Sequence, residues 1–334
     1  MKEKRTMKKF LNYVKDSASV IIVFLLITAT SSIAGDLNVI GHRGAAGLLP
    51  ENTLAGFKKA MEMGVDTIEL DVHLTSDNEA VVCHDSRLNP AITRDRDGKW
   101  IKERHLIKKL TLSEVQSYDV GKLNRLSGYA KKYKSQKAAE GERIPTLRDV
   151  IQLLKRTNDK THLFIEIKYS PLKPEDTKSP EEISNVVAKI IKDENIAERV
   201  TVISFDWKTL MYFQKIMPEI PTGYVTRAKQ GRDTIQKNKS GASPWMGGLD
   251  IDNFGSIPEA VKSAGGSYWI VNYRHATGHG KNITSKIVEK AHAIGIKVIV
   301  WTPDTKSDMK KLIKTGVDGI VTNRPDILLS LVKR

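Results

Sequence analysis

At 334 residues with 40% hydrophobic composition the chain can build one large core, and because single α/β barrels commonly exceed about 250 residues, this length does not force two domains. The 54 Lys+Arg against 39 Asp+Glu give a net charge of +15, which favours an anionic surface or substrate. No aromatic-interleaved RNA motif, zinc-finger spacing or helix-turn-helix signal accompanies that charge, so nucleic acid is not the expected partner.

Residues 1–17 hold six basic and two acidic residues and lead into an apolar run, Ala18 to Ala29, followed by Thr30-Ser31-Ser32-Ile33-Ala34. At about 1.5 Å per residue the run spans only about 18 Å, short of a hydrocarbon core of about 30 Å. Residues 1–35 are therefore expected to be a secretory signal peptide cut after Ala34, or, uncut, an N-terminal membrane anchor. Either way the protein is expected to be exported, periplasmic or extracellular, with association at a membrane surface if the segment is retained. No cysteine lies near the cleavage point, which excludes lipoprotein attachment there. Cys83, the only cysteine, excludes an intrachain disulfide and reads as a small core residue.

From residue 36 to 334 strand-like runs alternate with amphipathic helical stretches, the pattern of a parallel α/β fold. The strand candidates are Leu37 to Gly41, Thr67 to Val72, Leu163 to Lys168, Val200 to Ser204, Thr222 to Thr226, Ser267 to Val271, Ile296 to Trp301 and Gly319 to Thr322. Eight such runs with helices between them suggest a closed TIM-type (β/α)8 barrel. Two further short runs, Ala80 to Cys83 and Gly248 to Asp252, are not assigned to the barrel by pattern alone. The turn signal Thr75-Ser76-Asp77-Asn78-Glu79 is too short for a helical crossover, so Ala80 to His84 is expected to fold back as a hairpin. The first helix shows Leu54, Phe57 and Met61 at helical spacing after the turn and capping residues Pro50-Glu51-Asn52-Thr53, and Gly64 stops it. Residues 86–145, with fifteen basic and seven acidic residues, break the alternation and read as an insertion over one barrel mouth. Within it Thr111-Leu112-Ser113-Glu114 reads as a capping box.

The chemistry concentrates at strand ends. In Asp66-Thr67-Ile68-Glu69-Leu70-Asp71-Val72, Glu69 and Asp71 share one face while Ile68, Leu70 and Val72 share the other. Two carboxylates about 4 Å apart repel by about 1 kcal/mol in water and several times that at a lower dielectric, so the pair calls for a cation. His42 and Arg43 close the first strand, His84 and Asp85 follow the hairpin strand, and Glu166 and Lys168 close another. Strand C-termini of an α/β barrel converge on one mouth. A phosphodiester repels hydroxide, so its hydrolysis wants a hard cation such as Ca²⁺ or Mg²⁺ on the carboxylates. It also wants a forked donor such as Arg43, a point charge such as Lys168, and a general acid and base such as His42 and His84.

Together His42-Arg43-Gly44, Pro50-Glu51-Asn52-Thr53, Glu69-x-Asp71, His84-Asp85, Ile144-Pro145-Thr146-Leu147, Glu166-x-Lys168, Ser204-Phe205-Asp206 and Gly316-Val317-Asp318-Gly319 resemble the glycerophosphodiester phosphodiesterase family, over roughly residues 38 to 330. The stretches Leu88 to Arg94 and Tyr118 to Gly121 resemble a bacterial subgroup with a longer insertion. The resemblance implies a TIM barrel that hydrolyses glycerophosphodiesters to sn-glycerol 3-phosphate and an alcohol. It implies Glu69, Asp71 and Glu166 as ligands of the divalent metal, His42 and His84 as the acid/base pair, and Arg43 as a phosphate contact. Lys168, Glu51 and Trp301 complete the expected substrate-binding set. Attack by the glycerol 2-hydroxyl, giving a cyclic phosphate that water then opens, is one route the resemblance allows. Two departures stand at strand ends: Pro303-Asp304 where the family usually has Val-Asn, and Thr322-Asn323 where Thr-Asp is common. They leave the catalytic set intact and bear on the alcohol-side pocket. Two other readings stay open: action on lysophospholipid or sphingomyelin headgroups, favoured by the basic insertion and the leader, and non-catalytic binding of anionic glycerophosphate polymers. The binder would be expected to have lost a metal carboxylate or a histidine.

Overall fold

A computed structural model describes residues 37–157 and 160–332. The expected leader over residues 1–35 lies outside the described residues. Eleven strands run along the described chain: β1 Asn38–His42, β2 Thr67–Leu74, β3 Ala80–Val82, β4 His162–Ile167, β5 Val200–Ser204, β6 Thr222–Thr226, β7 Ala228–Lys229, β8 Arg232–Asp233, β9 Tyr268–Asn272, β10 Lys297–Trp301 and β11 Gly319–Thr322. β1, β2, β4, β5, β6, β9, β10 and β11 pair in parallel in that order, and β11 closes on β1, so the eight expected strands form a closed barrel. β3 pairs antiparallel with β2, as the short turn before it requires. The run Gly248 to Asp252 is no strand; its end belongs to the 3-10 turn Ile251–Asn253.

The period-2 alternation sorts the side chains into two cores. Ile40, Phe164, Ile203, Val225, Ile270, Ile299 and Val321 point inward and fill the barrel. The intervening positions, such as Val39, Ile68, Leu70, Val72, Leu163 and Ile165, point outward against the helices. The first of these helices, Leu54–Met63, is capped by the Thr53 hydroxyl, which accepts from the Gly56 amide at 3.1 Å, and Gly64 ends it in the left-handed conformation. Among the described residues no helix is long and apolar enough to cross a membrane.

Residues 86–145 carry little regular structure, and the helix Leu147–Thr157 follows them before β4. Val81, Leu88, Ile107, Val115, Val120 and Ile144 give the insertion a small core of its own. Its helix Leu112–Val115 starts at the expected capping box, with Thr111 and Glu114 satisfying each other's backbone amides. A second cluster, Leu123, Ala130 and Tyr133 with Ala46, packs the segment against the turn that follows β1.

Candidate active site

Parallel register assembles the acidic cluster. β1 pairs with β2 so that His42 stands beside Glu69, and β2 pairs with β4 so that Asp71 stands beside Glu166. Because Ile68, Leu70 and Val72 are committed to the outer core, Glu69 and Asp71 have only the barrel interior left. Oxygen atoms of Glu69, Asp71 and Glu166 lie within 4.8 Å of one another, all three residues buried.

Like charges so close cannot share a dry site without compensation. Burial, Asp71 and Glu166 push the Glu69 carboxyl well above the usual carboxylate range. Burial acts the same way on Asp71, but Lys168, His84 and Arg43 outweigh it and hold that carboxyl below its usual range. Lys168 Nζ lies 2.7 Å from Glu166 Oε1 and 3.2 Å from Asp71 Oδ1. Asp71 Oδ1 is buried and accepts no hydrogen bond. A buried hard oxygen with only the Lys168 charge beside it, inside a three-carboxylate cluster, fits a divalent cation such as Ca²⁺ or Mg²⁺.

The turn after β1 aims the phosphate-binding groups. Arg43 has φ 51° and Gly44 φ 85°, and a Cβ on Gly44 would sit 2.8 Å from the Gly56 backbone, so only glycine lets the turn dock on the first helix. This conformation lets the Arg43 amide donate to Glu69 Oε2 at 3.0 Å. The Arg43 guanidinium reaches Glu51 Oε1 at 2.8 Å and Asp71 Oδ2 at 3.3 Å. Tyr129, brought in by the insertion, hydrogen-bonds both Glu51 and Arg43. Asn52 donates to Asp71 Oδ2 at 2.9 Å. Pro50-Glu51-Asn52-Thr53 thus caps a helix with one residue and braces the site with two others.

The two histidines have different partners. His42 Nδ1 meets Asn323 Oδ1 at 2.6 Å, and Asn323 Nδ2 donates to Asp304 Oδ2 at 2.7 Å. His84 Nδ1 meets the Asp85 carboxylate at 2.8 Å. Burial, and then the Arg43 charge, lower the His42 ring to about 3. Burial alone would raise Asp85, yet the hydrogen bond and charge of His84, with Arg43 and Arg104, hold it at about 2. Burial and the Asp71 and Asp85 charges push the Cys83 thiol up, away from the thiolate form.

A cavity of about 390 Å³ opens at this barrel mouth. His42, Arg43, Glu69, His84, Glu166, Lys168 and Trp301 all line it. Of the remaining expected residues, Asp71 lies beneath it in the acid cluster, and Glu51 stands behind Arg43 with both oxygens engaged. Tyr129, Asn52, Asp85 and Asp304 were not expected as site residues. Tyr129 lies in a stretch without periodicity and carries no sequence signal; Asp304 and its partner Asn323 were visible only as two separate departures.

A barrel whose mouth gathers three buried acids, an arginine, a lysine and two histidines defines a hydrolase of the phosphodiester class. The model of the glycerophosphoryl diester phosphodiesterase family matches residues 42–327, and the chain belongs to that family. It is an enzyme, a glycerophosphodiester phosphodiesterase by activity. A glycerophosphodiester phosphodiesterase of Caldanaerobacter subterraneus subsp. tengcongensis is 33% identical over 298 residues, covering 89% of this chain and 98% of that one. The crystal structure of a glycerophosphoryl diester phosphodiesterase homologue from Silicibacter pomeroyi superposes with a TM-score of 0.76 at 30% identity, covering 89% of this chain and 94% of the other. A phosphodiesterase of Oleispira antarctica, solved in complex with the product sn-glycerol-3-phosphate, shares the fold at 24% identity and a TM-score of 0.64, covering 88% of this chain and 96% of its own.

Proposed function

We propose that the protein hydrolyses glycerophosphodiesters to sn-glycerol 3-phosphate and an alcohol at a divalent cation held by Glu69, Asp71 and Glu166, with His42 as general base and His84 as general acid. The register that sets His42 beside Glu69 and Asp71 beside Glu166 is the observation that carries this reading. A bound Ca²⁺ or Mg²⁺ supplies neutralisation of the nonbridging phosphate oxygens. Arg43, fixed by Glu51 and Tyr129, presents its guanidinium to the phosphate, and Lys168 adds a point charge.

The partners of the two rings divide the proton work. Asn323 donates its amide hydrogens to Asp304, so its oxygen faces His42 and requires a hydrogen on Nδ1. That leaves the Nε2 lone pair free to take the proton of the attacking hydroxyl. His84, held at Nδ1 by the Asp85 carboxylate, is the group that delivers a proton to the departing alkoxide. A binder of glycerophosphate polymers would need none of this, and every residue of the set is present.

Purified protein lacking residues 1–34, given glycerophosphoinositol or glycerophosphoethanolamine with Ca²⁺ or Mg²⁺, is expected to release glycerol 3-phosphate and to stop when chelator is added. No release with either metal would overturn the reading. Export is supported by the basic run ahead of Ala18 to Ala29. The mature protein is then expected to begin at Gly35, which intact-mass measurement of protein from the producing cell checks; an intact leader would point to an anchor, and a cytoplasmic full-length chain would defeat export.

A further inference from the structure

The side of the mouth lined by Phe205 and Trp301 holds a charge that the hydrolytic set does not use. Arg227 follows β6 and is half-buried, its backbone pinned by three hydrogen bonds with Thr234: its amide donates to Thr234 Oγ1 at 3.1 Å, and its carbonyl accepts from the Thr234 amide at 2.8 Å and the Thr234 hydroxyl at 3.3 Å. Its guanidinium lies 4.7 Å from the ring centre of Trp301 and 5.8 Å from that of Phe205. Its Nε is buried without a hydrogen-bond partner, and among the described residues no carboxylate forms an ion pair with it. Arg43, the other arginine lining the catalytic cavity, instead holds Glu51 and Asp71.

An arginine cannot shed its charge at ordinary pH, so a half-buried guanidinium without a counter-ion is costly unless a ligand supplies one. Burial and then the Arg232 charge work against the cation here, and the Glu166 carboxylate, which forms no ion pair with it, offsets them only in part. Arg227 and Phe205 form the wall shared by the catalytic cavity and a neighbouring one of about 450 Å³. Arg232, on β8, and Lys239 add positive charge to that second cavity. Its one acidic lining residue, Asp233, already accepts the amides of Ile235 and Gln236 at 2.9 and 3.0 Å. The aromatic walls Phe205, Trp245 and Trp301 would suit a quaternary ammonium if their faces were open. Arg227 already covers two of them, and its charge repels such a headgroup.

We infer that Arg227 anchors a second anion subsite beyond the catalytic phosphate position, so that the favoured glycerophosphodiesters carry a further phosphate or carboxylate on their alcohol half. This inference rests on the hydrolytic reading above. The aromatic stack holds the guanidinium in place, and the substrate's second anion replaces water as its partner.

Steady-state kinetics with matched substrate pairs test it. Glycerophosphoinositol 4-phosphate against glycerophosphoinositol isolates an added phosphate; glycerophosphoserine against glycerophosphoethanolamine isolates an added carboxylate. In at least one pair kcat/KM is expected to favour the extra anion by about tenfold at low salt, the scale of one charge-assisted hydrogen bond. That ratio should fall toward one in Arg227→Gln, persist in part in Arg227→Lys, and shrink in Arg232→Gln. Equal or lower kcat/KM for both charged members in the unmodified enzyme overturns the inference, as does a loss in Arg227→Gln that is the same for both members of each pair, which would put Arg227 on the catalytic phosphate. Should Arg227→Gln fail to fold, the unmodified ratio and Arg232→Gln decide. No turnover of any of the four substrates would defeat the hydrolytic reading instead.

Discussion

His42 Nδ1 and Asn323 Oδ1 stand 2.6 Å apart, although their positions are 281 residues apart in sequence. Asp304 orders that contact by accepting the Asn323 amide nitrogen at 2.7 Å, the Asn323 backbone amide at 2.9 Å and the Thr322 hydroxyl at 3.0 Å. The chain therefore backs His42 with a neutral amide and places the carboxylate one step further out. Asn323→Asp moves negative charge against the ring, which favours the imidazolium. Its His42 pKa is expected to rise, so the acidic limb of the kcat/KM profile should move to higher pH. Asn323→Ala should lower kcat about tenfold with little change in KM, as loss of a positioning contact does. An unshifted profile in Asn323→Asp would contradict the relay.

Removal of either histidine should cost far more than removal of the relay. His42→Ala and His84→Ala are each expected to lower turnover at least about 100-fold, the scale of a lost acid or base, with unchanged circular dichroism. Near-normal turnover in either variant would remove that ring from the mechanism.

Metal binding should release protons. Burial and the Asp71 and Glu166 charges push the Glu69 carboxyl above the usual carboxylate range, so a cation bound there would displace its proton. Apparent metal affinity is therefore expected to weaken as pH falls, and calorimetry in buffers of different ionisation enthalpy should show proton release. Glu69→Gln should raise the metal concentration for half-maximal activity and abolish that release. Affinity that does not change with pH would show Glu69 to be ionised before the metal arrives.

Acid stability carries a signature of His73. This ring is buried, its Nε2 lies 3.3 Å from the His84 carbonyl oxygen, and burial followed by the Lys168 charge lowers it to about 4. An unfolded histidine titrates near 6.5, so between about pH 6.5 and 4 the unfolded chain binds the extra proton. The resulting stability is complete above that window and is lost as pH falls through it, by at most about 1.4 kcal/mol per pH unit for this ring. Glu69 acts in the opposite sense, so the informative comparison is with His73→Gln. In urea melts the variant should lose less stability than the unmodified protein from pH 6.5 to 4.5; parallel curves would contradict the assignment.

Strands were legible because barrel strands bury one parity inside and the other outside. The runs at Val200–Ser204, Thr222–Thr226 and Gly319–Thr322 end where their pattern ends. The Gly248 to Asp252 run was ambiguous because a short apolar stretch reads alike as strand or packed turn. Glu69, Asp71, Glu166 and both histidines were legible as polar residues in or just after strands, although β2 runs on to Leu74 and leaves Glu69 and Asp71 inside it; their mutual register was not legible, since hydrogen-bond pairing between distant strands leaves no local trace. Asn52 read only as turn chemistry, and its left-handed backbone, φ 54°, is what swings its amide to Asp71. Tyr129 reaches Glu51 from an insertion held by a few scattered apolar contacts, which no periodicity announces.

Anomalous diffraction from crystals soaked in Mn²⁺ tests the metal assignment most directly, because it locates the cation without reference to activity. A single strong peak among the carboxylates of Glu69, Asp71 and Glu166 is the expected result. No peak there, with Lys168 still seated between Asp71 and Glu166, would contradict the account.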